Sequence, residues 1–293
     1  MKLSLIRLCH SVPVLKQVSK NIHPRWFFRY LFISVIVGSY LNPHSQSLLQ
    51  PFREVLKDQY DRRSLRRRAH RYLFHRRLTR GLIPAWNGWS QRRQDWVLIE
   101  GESYLKSAIA DGKGLYLLSP HKFGLSTLIP PVLAEKGYII NRGGNGINPA
   151  GRVERWGGKY PLKWRYINYH GDYWHRLKVL TEIRATLKRN EIVHLSLRAA
   201  PDGPSDMEIS FWYKRFFLEP VWFQVISRCN APVLPCFAMA DVNGSVTIQI
   251  HPPLPSNITE MANQFGHLWV EYLRLYPECA RIWREIHCQL PKW

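Results

Sequence analysis

Apolar and polar positions alternate along this chain in two different ways. Residues 25–42, RWFFRYLFISVIVGSYLN, form an apolar run between Pro24 and Pro43, interrupted after its leading Arg25 only by Arg29. As a helix, these eighteen residues reach roughly 27 Å at ~1.5 Å each, just short of a bilayer's hydrocarbon thickness. Trp26 and Tyr40 stand near its ends as interfacial aromatics do, and Arg29 is near enough to one end to snorkel. The run therefore predicts an N-terminal membrane-associated helix, either spanning or lying in the interface, with a buried core helix as the alternative. Residues 61–80 carry nine arginines and one acid, and Leu65, Tyr72, Leu73 and Leu78 leave a thin apolar stripe. That spacing predicts a helix with one packed edge and a basic outer face.

Beyond Trp96 the period changes. Short apolar runs at 97–99, 114–119, 138–141, 192–197, 209–213, 232–238 and 245–250 read as strands. Between and after them, 103–110, 123–136, 172–188, 220–227, 258–275 and 278–287 read as helices, with Pro130 and Pro131 kinking or dividing the second. Trp174, Leu177, Leu180, Ile183 and Leu187 fall on one side of the 172–188 helix. Strand–helix alternation predicts an α/β fold with a mostly parallel central sheet flanked by helices. The chain divides accordingly into an anchor and basic arm, residues 1–94, and an α/β domain, residues 95–293.

Charge adds a partner class. Lys and Arg number 42 against 21 Asp and Glu, a formal net charge of +21 in 293 residues. Such an excess points to an anionic partner: a membrane surface, a nucleic acid or a phosphorylated substrate. Before Trp26 the chain carries Lys2, Arg7, Lys16, Lys20 and Arg25 with no acid, which favours a cytoplasmic start, and no small-residue cleavage site follows the apolar run. The basic 61–80 segment lies just after that run, which favours anionic headgroups at ~1 kcal/mol per basic residue. No nucleic-acid-binding motif accompanies it, so no nucleic acid is expected, and a basic nucleic-acid-binding protein is the weakest alternative. Five cysteines without a CxxC pair exclude a disulfide framework and a zinc ribbon, and twelve Trp suit a water–lipid boundary.

Familiar catalytic signatures are missing: Gly112-Lys113-Gly114 lacks P-loop spacing, there is no HExxH, and Ser126 is not in GxSxG. The candidate that stands out is His121, placed directly after the buried strand, because open α/β sheets bind ligands beyond the carboxyl ends of their strands.

The stretch WVLIEGESYLKSAIADGKGLYLLSPHKFG, residues 96–124, resembles the opening of the lauroyl/myristoyl (lipid A late) acyltransferases, within the lysophospholipid acyltransferase-like superfamily. Four further blocks agree in order: YIINRGGNGINPAGRVERWGG, KRNEIVHLSLRAAPDGP, the pair APVLPCFAMA…VTIQIHPPLP, and YPECARIWREIH. The resemblance covers about residues 95–288. It implies acyl transfer from an acyl carrier protein or acyl-CoA to a hydroxyl of a lipid or glycolipid acceptor, at the cytoplasmic face of the inner membrane. No metal or redox cofactor is implied. His121 becomes the general base, Arg142 the substrate-binding arginine, Arg152 a weaker candidate for the same anion site, and Asp202 and Gly203 the substrate-binding loop.

One position departs from the pattern. Relatives carry an acid five residues after the histidine (the HX4D/E motif), and this chain has Ser126 there, followed by Thr127. Three readings follow. Another carboxylate, Asp202 or Glu191, stands in; or a Ser126-assisted base works slowly; or the chain is a lipid-binding pseudoenzyme. Arg142 also has a structural alternative, pairing with Glu154. The aromatics at 211–213 and 216–217 read as core packing, with an acyl-channel wall as the functional alternative.

Overall fold

A computed structural model of the chain describes residues 23–41, 43–88, 96–144, 164–168, 173–200, 207–211, 214–218 and 220–283. Three helices come first: α1 (Pro24–Leu41), α2 (Pro43–Leu56) and α3 (Arg62–Gly88). The strands are β1 (Val97–Glu100), β2 (Leu115–Pro120), β3 (Ile140–Gly144), β4 (Trp164–Asn168), β5 (Ile192–Leu197), β6 (Ala199–Ala200), β7 (Glu208–Phe211), β8 (Lys214–Leu218), β9 (Val233–Ala240) and β10 (Val246–Ile250). Between and after them lie α4 (Glu102–Ala110), α5 (Ile129–Glu135), α6 (Tyr173–Lys188), α7 (Pro220–Ser227) and α8 (Ile258–Leu275).

The central sheet has seven strands in the order β1-β10-β9-β2-β5-β3-β4. Strands β9, β2, β5, β3 and β4 run parallel, and β10 reverses against β9 with β1 parallel to it at the edge. This is the mostly parallel α/β sheet expected from the alternation. A small antiparallel sheet, β6-β8-β7, follows β5. Every residue of β2 and of β9 is buried, as continuous apolar runs covered on both faces require, whereas β10 alternates buried and half-buried positions.

Two apolar clusters sandwich the sheet. On one face Tyr116, Leu118, Val193 and Leu195 meet Val179 and Ile183 of α6, Phe223 of α7 and Phe265 and Trp269 of α8. On the other, Leu115, Leu117, Ile192 and Ile140 meet Leu105 of α4 and Ile129, Val132 and Leu133 of α5. Helices α1–α3, inside the stretch read as an anchor and arm, supply residues to both clusters: Phe52, Tyr72 and Leu73 to the first, Phe27, Phe28, Leu31, Phe74 and Leu78 to the second.

Among the described residues no helix is long and apolar enough to cross a membrane, so a spanning anchor over 25–42 has no support. The physical reason lies in how α1 uses its apolar side chains. Phe28 packs edge-on against Trp96 with ring centroids 5.6 Å apart and lies 6.0 Å from Phe74, so this face of the helix is committed to the protein core. Trp26, Ile33 and Val37 face outward at 61%, 61% and 50% exposure. Helix α3 has the packed edge its stripe predicted: Tyr72, Leu73 and Leu78 are buried and Leu65 half-buried. Its arginines are not all solvated, since Arg68 donates to buried Glu278 at 2.7 Å and Arg71 lies 3.6 Å from the same carboxylate.

Several expected boundaries moved. The 123–136 segment is a turn, a 3₁₀ turn over Ser126–Leu128, and then α5, which begins at the two prolines because proline is tolerated only in a first helical turn. Residues 278–287 do not begin as a helix: Pro277–Cys279 is a 3₁₀ turn and Ala280 bridges to Phe123. Strands β4 and β8 and helix α2 were not anticipated.

Candidate functional site

The chain leaves β2 and β5 in opposite directions. From β2 it passes through α5 on one face to reach β3, beyond β5; from β5 it passes through β6–β8 and α7 on the other face to reach β9, beyond β2. Neighbouring strands whose connections diverge in this way leave a crevice at their carboxyl ends, where α/β sheets hold ligands. His121 is the first residue past β2 and Arg198 the first past β5. The two ends are tied together, the His121 backbone N–H donating to the Leu197 carbonyl at 2.6 Å.

The turn carrying His121 is strained and held in place. Lys122 takes φ 59, an uncommon left-handed conformation for a residue with a side chain. It is secured by the Arg281 N–H donating to the Lys122 carbonyl at 2.7 Å, by Gly124 N–H to Cys279 at 2.9 Å and by Leu125 N–H to Ala238 at 2.7 Å. Gly124, at φ 49, must be glycine: an added Cβ would lie 1.9 Å from the Ala238 carbonyl oxygen. The C-terminal segment thus clamps the turn onto β9.

His121 is half-buried, and its pKa falls from 6.5 to about 4. Burial is the main cause, followed by the positive charges of Arg198, Lys122, Arg281 and Arg142. At neutral pH the ring is uncharged, with a lone pair available to take a proton. The same four cations make the crevice a place where an anion, or a developing oxyanion, is stabilised.

Behind the crevice lies a buried polar layer. The Ser119 hydroxyl is hydrogen-bonded to His194 Nε2 at 2.9 Å and lies 3.2 Å from the Ser196 hydroxyl. His194 is Cα-paired with Arg142 across β5 and β3, and Arg142's charge after burial pushes the His194 pKa well below its usual value. Ser119 is fully buried, so this pair supports the end of the sheet and does not meet a ligand.

Arg142 stands on β3, half-buried, with its charge reaching both His121 and His194. Ser126 is buried in the 3₁₀ turn, and no hydrogen bond joins its hydroxyl to the His121 ring. Glu191 is no stand-in for the motif acid. It precedes β5, whose six residues at ~3.3 Å each separate it by about 20 Å from the crevice. There it accepts from Arg189 at 2.8 and 3.1 Å and from Asn141 at 2.8 Å. Arg152, Glu154, Asp202 and Gly203 lie outside the described residues, as do Trp212 and Tyr213. Phe211 is core, packed 6.0 Å from the Trp283 ring. Sequence reasoning missed Arg198 and Arg281; the signal available was a basic residue directly after a buried strand, in SLRAA.

A second concavity, about 350 Å³, lies at the sheet edge among Glu100, Asp241, Gln249, Tyr276, His75 and Cys279. Cys279 Sγ is 3.5 Å from His75 Nε2. Burial raises the thiol well above its ordinary pKa and lowers the imidazole to about 4, so both are neutral. They are not a thiolate–imidazolium nucleophile.

Fold and site together define an α/β protein with a neutral histidine at the carboxyl end of a central strand, under the charges of four cations. No family model matches the chain, and no curated protein sequence matches it.

Proposed function

We propose that the chain is a membrane-associated acyltransferase that moves a fatty acyl group from an acyl carrier protein or acyl-CoA thioester to a hydroxyl of a phosphorylated lipid or glycolipid acceptor. The observation that carries this reading is the uncharged His121 directly after β2, under the charges of Arg198, Lys122, Arg281 and Arg142. In the reaction, the acceptor O–H gives its proton to the imidazole as its oxygen bonds to the thioester carbonyl carbon. The C–S bond then breaks, and the leaving thiolate takes the proton back from the imidazolium. The acceptor's phosphate is held by Arg142 together with Arg198 and Arg281, as planar guanidinium forks suit. Membrane association is supported by the +21 charge and by the outward Trp26, Ile33 and Val37 of α1, which suit an in-plane position at an anionic surface.

A lipid-binding pseudoenzyme is the second reading, favoured by one observation: the strongest charges acting on His121 are all positive, and Ser126 stands where an acid would oppose them. Acyl-transfer assays on the purified parent and on His121→Ala separate the two. Transfer by the parent that vanishes in the variant is expected. Equal transfer by both removes His121 as the base, and saturable lipid binding without transfer by the parent selects the pseudoenzyme.

A further inference from the structure

Four chain segments deliver a cation to one imidazole: Lys122 from the strained turn, Arg142 from β3, Arg198 from the end of β5 and Arg281 from the C-terminal clamp. Arg198 is exposed and makes no ion pair among the described residues. Taking a proton in such company adds a fifth positive charge, and a serine hydroxyl cannot offset it. A base so placed is weakened by burial and by these charges, and negative charge arriving from outside strengthens it.

We propose that a phosphate group on the acceptor, seated on Arg198 and Arg281 beside His121, supplies that negative charge and takes the place of the missing motif carboxylate. The proposal rests on the acyl-transfer reading and adds to it that the acceptor completes its own catalytic site. Bound phosphate offsets the positive charges that, after burial, lower the basicity of the imidazole, so the ring becomes a stronger base when the phosphorylated acceptor is present. A phosphate-free alcohol would meet a less basic ring. Acceptor specificity is thereby built into the proton transfer as well as into binding, and the acyl thioester is protected from attack by water and stray alcohols. The orienting role of the usual carboxylate falls to the backbone, since the turn is pinned on both sides by Leu197, Cys279 and Ala238.

The test follows the His121 ring of the full chain in detergent by NMR with isotope-labelled histidine. The pH is titrated in chloride and in inorganic phosphate at equal ionic strength, and the signal is assigned with His121→Gln. An anion within ~4–6 Å shifts a neighbouring group by about one to three pH units, so phosphate should move the His121 midpoint upward by at least about one unit. In Arg198→Gln the phosphate Kd should weaken at least about five-fold and the shift should shrink, through loss of a charge-assisted contact. Methyl phosphate and dimethyl phosphate identify the source. A larger shift with the monoester fits an acceptor phosphate, whereas an equal or larger shift with the diester assigns the anion to the donor's linkage and overturns the proposal. No shift with either, or an undiminished shift in Arg198→Gln, also overturns it. Because these readouts need no turnover, they fail or succeed separately from the transfer assay: a phosphate-dependent shift without acyl transfer would leave the anion site standing and remove the proposed reaction.

Discussion

Two fully buried histidines make the stability of this fold depend on pH in a predictable direction. His194 lies between β2 and β3 on β5, and His75 lies on α3 against Cys279; both have pKa values lowered mainly by burial, His75 to about 4. In the unfolded chain each titrates near 6.5. Between the two values the unfolded state holds a proton that the folded state does not, so stability rises with pH there and is lost as pH falls below about 6.5. For His75 the loss from pH 7 to pH 5 is about 2 kcal/mol, and His194 adds to it in the same direction. Urea unfolding followed by circular dichroism at pH 7 and pH 5 measures this loss. Replacing His194 with Gln keeps a group able to bond Ser119 and removes the titration, so the variant should lose measurably less stability than the parent over the same interval. Carboxylates common to both proteins cancel in that difference. If parent and variant lose the same amount, His194 is not the buried neutral group the geometry makes it.

Gly124→Ala should cost at least about 2 kcal/mol, read as a lowered Tm, because a Cβ there meets the Ala238 carbonyl in a backbone conformation strained for any side chain; an unchanged Tm would mean that the turn does not approach β9 as described. Ser126→Glu places a carboxylate at the motif position among cations and should raise the His121 midpoint without added phosphate. An unmoved midpoint by NMR would show that position 126 does not act on the ring.

The sheet was legible because fully buried strands leave an unmistakable mark: GLYLLS and IVHLSL are apolar across both faces, and the alternation in VTIQI shows its half-covered face directly. The role of residues 25–42 was not legible, because a helix that covers a core and a helix that enters a bilayer are apolar for the same reason. What distinguishes them here is that Phe27, Phe28 and Leu31 meet Phe74 and Trp96, from sequence positions far away. Residues 278–282 misled for a related cause: they serve a clamp in which Ala280 bridges Phe123, and Pro277 and the contact with the turn outweigh helical preference there.

The candidate site divides along the same line. His121 could be placed from the chain alone, because the end of a buried parallel strand is recognisable and the crevice follows from topology. Its electrostatic company could not, since Arg142, Arg198 and Arg281 are separated by tens of residues and converge only when β3, β5 and the C-terminal clamp meet. That convergence also changes the meaning of Ser126. Viewed along the sequence, serine at the motif position reads as a defect in a catalytic pair. A fixed carboxylate acting on the ring would hold the imidazole basic with no ligand present. A hydroxyl leaves the positive charge available to an incoming anion. The serine five residues after His121 and the positive charge around the ring fit together if the negative charge arrives with the acceptor.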